Sequence, residues 1–204
     1  MLFEDTYKTI EKPAEGVYKD RGSRFIALAY PATTQEEIKQ IQAELRKKYY
    51  DARHHCFAYL LGFDKSAYRI NDDGEPSGTA GRPIFGVIQS NDLTNIVIIV
   101  VRYFGGTLLG VRGLIDAYKG AAADAIKNAT IVTKTIQEIY EISFDYIAMN
   151  TVLKIIKDSE AAIISTKYEL DGNILFKIRK NQSDIVCKKL HKIENLSLKY
   201  IRTE

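Results

Sequence analysis

The second half of the chain alternates between strand and helix periods in a regular order. Apolar residues alternate over 136–144, which predicts a strand, and Met149, Val152 and Ile156 then recur at helical spacing. Further along, the pattern predicts a strand at 161–170, a turn at 171–173, an alternating strand at 174–178, a helix at 186–193 and a strand at 196–202. This β-α-β-β-α-β order predicts a ferredoxin-like domain, with two helices on one face of an antiparallel sheet.

The first half predicts a mixed set of elements. We expect a hairpin within 6–19, strands at 23–30 and 56–61, and a central strand at 96–101. Overlapping capping boxes at 33–37 predict the start of one helix, and Pro83 fits the first turn of a second helix. The small residues Ala121, Ala122 and Ala125 allow a third helix to lie close to its sheet. The chain is therefore predicted to be α+β, with an N-terminal α/β domain at 1–134 and a C-terminal ferredoxin-like domain at 135–204.

The composition is that of an ordinary globular protein. Of 204 residues, 46% are hydrophobic and 27% are charged, and the formal net charge is only +3. Both parts are close to neutral, with 18 basic and 16 acidic residues up to residue 134, and 11 and 10 beyond it. This balance excludes a strongly basic nucleic-acid coat and an acidic tail, so any affinity for nucleic acid depends on a local surface.

Several features indicate a cytoplasmic protein. The N-terminus lacks the basic segment and apolar run of a secretory signal. The longest aliphatic run, at 96–101, is far shorter than the about 20 residues that span a bilayer. Cys56 and Cys187 stand far apart in sequence and indicate neither a disulfide framework nor a zinc site. We expect reduced thiols, no membrane partner and no cofactor.

Nine of the 13 glycines fall within 74–120, where the chain carries two motifs. The first, DDGEPSGTAGRP at 72–83, has Gly78 and Gly81 around Thr79-Ala80. Such a loop ahead of a helix is able to expose backbone N–H groups to an anion. The alternative is a plain strand-to-helix connection in which Ser77 or Thr79 caps the helix.

The second motif, RYFGGTLLGVRGLIDAY at 102–118, links the central strand to a helix. A strand, a glycine-rich loop and a helix N-terminus together form a plausible phosphate cradle. The string matches neither G-x-x-x-x-G-K-[ST] nor G-x-G-x-x-G, the two common nucleotide-binding patterns. The alternative is a tight loop against the sheet, with Tyr103 and Phe104 packed as core.

Residues with catalytic or metal-binding side chains do not form a recognisable pattern. A metal site at His54 and His55 needs at least three convergent ligands, and adjacent residues of a strand point to opposite faces. Cys56 lies in an apolar strand, and Ser77 has no G-x-S-x-G setting. We therefore assign no metal ligand and no catalytic residue.

Taken together, the two motifs resemble the IMPACT family, whose bacterial branch is the YigZ-like proteins. The resemblance rests on residues 73–83 and 102–106. It continues at Gly110, Gly113-Leu114 and Ala117-Tyr118, and it includes Ser23-Arg24-Phe25 and His54 to Tyr59. It implies that the first domain shares the fold of elongation factor G domain IV and that the second is similar to domain V. Asp116 departs from the family pattern, because it places a negative charge where a basic residue is common.

The resemblance implies a role in translation, since eukaryotic relatives regulate translation under amino-acid stress. The leading hypothesis is a cytoplasmic, non-enzymatic regulatory protein that binds RNA, the ribosome or a translation-related protein. One alternative is an enzyme or small-molecule binder that acts on a phosphorylated ligand through the glycine-rich loops; another is a homo-oligomeric scaffold.

We predict a binding surface where the two motifs meet. A charge reversal at Arg102 is expected to abolish binding while the protein stays folded. The predicted binding residues are His54, Asp72, Glu75, Thr79, Arg82, Arg102, Tyr103, Gly105 and Gly106.

Overall fold

The computed structural model describes residues 5–168 and 171–204, and these residues form two compact units. We call Lys8–Thr133 the central unit. The terminal unit combines residues 5–7 with the described residues from Lys134 to Glu204. No helix within the described ranges has the length and apolar character that a membrane crossing requires.

The central unit has an α/β architecture with one large sheet. Its strands are β2 (Ala14–Asp20), β3 (Ser23–Pro31), β4 (His54–Leu61), β5 (Ala67–Asn71) and β6 (Ile96–Tyr103). Its helices are α1 (Gln35–Lys48), α2 (Gly81–Ser90) and α3 (Gly110–Lys127). The strand order is β2-β3-β6-β4-β5, which places β6 in the middle of the sheet.

The sheet is covered by helices on both faces, and β6 supplies core residues to each. Val97, Ile99 and Val101 pack with residues of α1, whereas the alternate residues of the strand pack with α2 and α3. This double burial explains why the strand is an unbroken aliphatic run rather than an alternating one. The predicted central strand is therefore confirmed.

Local sequence signals set where α1 begins and how closely α3 packs against the sheet. The capping box at Thr34 is present, because its side chain accepts from the Glu37 amide while the Glu37 carboxylate accepts from the Thr34 amide. Helix α3 approaches β2 closely, so a Cβ at Gly16 would lie 2.1 Å from the Ala125 nitrogen. The small-residue face of α3 allows this contact.

The predicted hairpin within 6–19 is wrong. Strand β1 (Thr6–Ile10) pairs with β7 (Ile131–Thr135), and β2 pairs with β3. The hairpin lies between β2 and β3, where Arg21 and Gly22 have φ values of 45° and 77°. Two consecutive positive φ values are typical of a type I′ turn, which matches the twist of the strands it joins.

The terminal unit has the predicted ferredoxin-like fold. Its elements are β8 (Gln137–Phe144), α4 (Met149–Asp158), β9 (Ala162–Tyr168), β10 (Gly172–Arg179), α5 (Lys180–Leu190) and β11 (Ser197–Thr203). The strand order is β11-β8-β10-β9, and the described pairings are antiparallel. The predicted strand at 161–170 ends in residues outside the described ranges. The α+β fold class is thus confirmed.

A contact between the two ends of the chain belongs to this terminal unit. Arg179 donates through Nε and Nη2 to the two carboxylate oxygens of Asp5, at 3.0 and 3.2 Å. The amide of Ile136 donates to the Asp5 carbonyl oxygen at 2.7 Å. Asp5 is therefore held by both its backbone and its side chain.

Candidate functional site

A groove of about 550 Å³ lies at the end of the large sheet, where β4 begins and β6 ends. His54 and Arg102 are directly opposite each other in the antiparallel pairing of these strands. The loop after β6 continues past them along the groove. The lining residues are Asp51, Ala52, Arg53, His54, Arg102, Tyr103, Phe104 and Leu108.

The amides of the first glycine-rich loop are bound by a carboxylate of the same loop. Asp72 accepts from the amides of Gly78 (2.8 Å), Ala80 (3.0 Å) and Gly81 (2.8 Å). Burial acts to raise the pKa of Asp72, but these hydrogen bonds outweigh it and hold the pKa below the ordinary value. Because Ala80 cannot cap α2 with a side chain, Asp72 caps that helix from a distance.

The two motifs are joined by a buried ion pair. Arg102 Nη1 lies 2.6 Å from Glu75 Oε1, and the two side chains are only 8% and 4% exposed. The Tyr118 hydroxyl donates to the same carboxylate oxygen at 2.8 Å. Since each partner neutralises the other, this cluster is an internal structural element rather than a free charge.

The guanidinium of Arg102 also lies between two aromatic rings. Its central carbon is 5.4 Å from the ring centre of Phe25 and 5.6 Å from that of Phe104. Both distances suit cation–π contacts. Phe25 is fully buried, whereas Phe104 is 56% exposed. Phe104 is therefore held on its inner side by the cation and remains accessible from the groove.

The two histidines that open β4 have different environments. His54 lines the groove, and its Nδ1 lies 2.9 Å from the carbonyl oxygen of Asp73. His55 is buried, and neither of its ring nitrogens has a partner among the described residues. Burial, reinforced by the positive charge of Arg46, lowers the pKa of His55 below its ordinary value. His55 is accordingly a neutral core residue.

The second glycine-rich loop is fixed against the turn between β2 and β3. A Cβ at Gly105 would lie 1.9 Å from the carbonyl carbon of Gly22, so this position requires glycine. The Gly105 amide donates to Ser23 Oγ at 3.1 Å. At the base of the loop, the Tyr103 hydroxyl donates to Asp51 at 2.8 Å. The end of β6 is thereby anchored on two sides.

The geometry divides the predicted binding residues into three groups. His54, Arg102 and Tyr103 line the groove, and Gly105 and Gly106 continue from it in the exposed loop. The internal group consists of Glu75, Asp72 and Thr79, of which Thr79 is buried and donates to the Pro76 carbonyl oxygen. Arg82 is exposed at the start of α2. The predicted binding roles stay predictions.

Five lining residues were not among the sequence predictions: Asp51, Ala52, Arg53, Phe104 and Leu108. The available signal was the apolar character of Phe104 and Leu108 inside a glycine-rich loop. The alternative interpretation of this loop packed Phe104 as core, but the residue is 56% exposed. Position within a family motif gave no information on which way this side chain faces.

The polar groups beneath the groove are not activated for nucleophilic chemistry. Burial raises the pKa of the Cys56 thiol to about 12, and it also raises the pKa of Tyr118. Cys56 lies 3.3 Å from the Tyr118 hydroxyl, which donates onward to Glu75. Both groups are protonated at neutral pH and connect the core to the ion pair.

Comparison with known proteins defines the class of protein to which this fold and groove belong. The Impact N-terminal domain matches residues 21–126, which include both motifs and every residue that lines the groove. The chain belongs to the IMPACT family, in its bacterial YigZ-like branch. A solved structure, titled only as a hypothetical protein, aligns with a TM-score of 0.72 and 28% identity over 97% of this chain and 98% of its own.

Two bacterial relatives match most of the chain. The IMPACT family member YvyE of Bacillus subtilis is 31% identical over 163 residues, which are 80% of this chain and 75% of YvyE. The IMPACT family member YigZ of Escherichia coli is 33% identical over 159 residues, 77% of this chain and 78% of YigZ. Mouse Protein IMPACT is 33% identical over 96 residues, 45% of this chain and 30% of the mouse protein.

Proposed function

We propose that this chain is a cytoplasmic, non-enzymatic regulatory protein linked to translation, and that it binds RNA, the ribosome or a translation-related protein through the groove. Family membership supports the link to translation, since the resemblance to the IMPACT family implies such a role for its eukaryotic members. The observation that carries the proposal is the exposed apolar rim of the groove, formed by Phe104 and Leu108. Phe104 and Leu108 are 56% and 80% exposed beside a polar groove. Large apolar side chains exposed at such a place are typical of a contact surface.

The alternative function, binding of a phosphorylated small molecule by the glycine-rich loops, has less support. The loop amides donate to Asp72, and Arg102 donates to Glu75. An outside phosphate would have to displace these carboxylates. A thermal-shift panel of nucleotides with Mg²⁺ tests this alternative, because a ligand at about 100 times its Kd adds about 2.7 kcal/mol of stability. We expect no shift, and a reproducible upward shift would favour the alternative.

The proposed function is tested by affinity capture with the full chain, with and without nuclease. A variant of the rim, Phe104→Ala with Leu108→Ser, is expected to lose translation components that the wild type retains. The matched control is Tyr68→Ala, which removes an exposed aromatic side chain from β5 in the same unit. Nuclease-sensitive capture indicates RNA, and resistant capture indicates a protein. Identical capture by the wild type and the rim variant contradicts the proposal.

A further inference from the structure

We infer that the groove binds single-stranded RNA, with a base stacked on Phe104 and phosphates held by arginines around the loop. This inference rests on the proposed function, because it uses the same surface and names RNA as the partner. Three observations carry it: unpaired arginines, a fixed but exposed aromatic ring, and a hydrogen-bond acceptor in the groove.

Three exposed arginines surround the loop after β6. Arg53 lines the groove, and Arg24 lies opposite Tyr103 in the pairing of β3 with β6. Arg21 stands in the turn that Gly105 contacts. Within the described residues none of these three arginines forms an ion pair.

The paired arginines of the same unit provide the contrast. Arg102 is bound to Glu75, and Arg46 is bound to Asp73. The groove also contains one carboxylate, Asp51, whose charge is not cancelled by the hydrogen bond from the neutral Tyr103 hydroxyl, but the three arginines outnumber it. Uncompensated cations on an otherwise balanced protein create a local positive potential, which attracts phosphates.

Phe104 meets the requirement for a stacking platform. Its ring is held against the Arg102 guanidinium, 5.6 Å away, while 56% of the residue stays exposed. An aromatic ring that is already fixed loses little freedom when a base stacks on it. Base stacking on aromatic side chains combined with a cationic groove is the usual means of binding single strands.

His54 provides the feature that favours RNA over DNA. The Asp73 carbonyl oxygen beside Nδ1 only accepts hydrogen bonds, so Nδ1 carries the proton of the neutral ring. Nε2 is then an acceptor. A ribose 2′-hydroxyl is able to donate to such a nitrogen, and deoxyribose lacks this group. An acidic protein segment would satisfy the arginines, but it would use neither the stacking ring nor the hydroxyl acceptor.

The test is fluorescence anisotropy of the full chain with a short, labelled, single-stranded RNA of mixed sequence at low salt. Phe104→Ala is expected to weaken binding roughly 5- to 150-fold, the range for loss of one stacked base. Phe104→Trp should retain affinity, and the control Tyr68→Ala should not change it. Far-UV circular dichroism confirms that each variant is folded.

The charge and the sugar are tested separately. Arg53→Gln should reduce the steepness of the log Kd against log salt plot by about 0.7, the value for one phosphate of a single strand. Arg69→Gln, an exposed arginine on β5, is the matched control. DNA of the same sequence should bind more weakly, and His54→Phe should remove this difference. Equal binding of RNA and DNA by the wild type overturns the assignment to RNA.

The outcomes separate the inference from the proposed function. Absence of RNA binding at low salt, or unchanged binding by both Phe104→Ala and Arg53→Gln, overturns the inference. If the rim variant then still loses a nuclease-resistant partner, the groove binds protein and the proposed function stands. If the rim variant also captures everything that the wild type captures, both are wrong.

Discussion

The buried ion pair between the two motifs makes a quantitative prediction for Arg102. Arg102→Met leaves the Glu75 carboxylate 4% exposed, with the Tyr118 hydroxyl as its remaining partner among the described residues. Removing one member of a buried pair costs about 3–5 kcal/mol, because the other charge is left uncompensated. Arg102→Glu should be worse, since it places two carboxylates together. This result would be opposite to the sequence-based expectation that the charge-reversed protein stays folded.

A second variant separates the charge from the packing. Arg102→Met combined with Glu75→Gln removes both charges, and the amide oxygen is still able to accept from Tyr118. We expect this double variant to recover most of the lost stability. A remaining deficit of about 1–2 kcal/mol is expected from the lost cation–π contacts with Phe25 and Phe104.

The assay is urea unfolding followed by far-UV circular dichroism, since the chain has no tryptophan. With a slope of about 2 kcal/mol per molar urea, a loss of about 4 kcal/mol lowers the midpoint by about 2 M. Hydrogen exchange in β6 reports the central unit separately from the terminal unit. The reasoning is refuted if the single variant loses less than about 1 kcal/mol, or if the double variant is no more stable than the single.

Three further predictions concern the residues that support the groove. The pKa of His55 is lower in the folded protein than in the unfolded chain, so the unfolded chain binds the proton more tightly and stability should fall as the pH drops below 6.5. A pH series of unfolding midpoints measures this dependence, and His55→Leu should lose it. Asp72→Asn should cost about 1–2 kcal/mol of stability by weakening the cap of α2. This difference from the wild type should vanish in acid, because the contribution of Asp72 is lost as the pH falls below 3.8. Hydrogen exchange of the α2 amides measures the loss of stability and its pH dependence. Gly105→Ala should lower the thermal midpoint by the equivalent of about 1–3 kcal/mol, whereas Gly86→Ala, where a Cβ meets nothing within 4 Å, should not lower it.

The sequence predicts those parts of the fold that are set by neighbouring residues. The alternation of Ile174, Phe176 and Ile178 appears as a strand with these three residues buried. The hairpin within 6–19 failed because periodicity identifies a strand but not its partner. β1 pairs with β7, more than 120 positions away, and the choice depends on contacts that no local pattern encodes.

In the candidate site, too, the sequence predicts local features but not contacts between distant residues. Glycine spacing correctly indicates loops that bend tightly, as the contact of Gly105 with Gly22 demonstrates. It does not indicate that Asp72 binds the amides of one loop, since an open cradle and a filled one have similar glycine patterns. The sequence also does not indicate that Arg102 is buried and paired with Glu75, because burial depends on contacts between residues far apart in the chain.

The pairing of Asp5 with Arg179 has a consequence for synthesis and for fragments. The partners are 174 positions apart, so at 5–20 residues per second the ribosome makes Arg179 about 9–35 s after Asp5. When Arg179 has just been made, the central unit is complete, whereas the terminal unit still lacks its last helix and strand. A fragment that starts at residue 135 never acquires Asp5. Such a fragment should be less stable than one to which residues 5–7 are restored by a flexible connection.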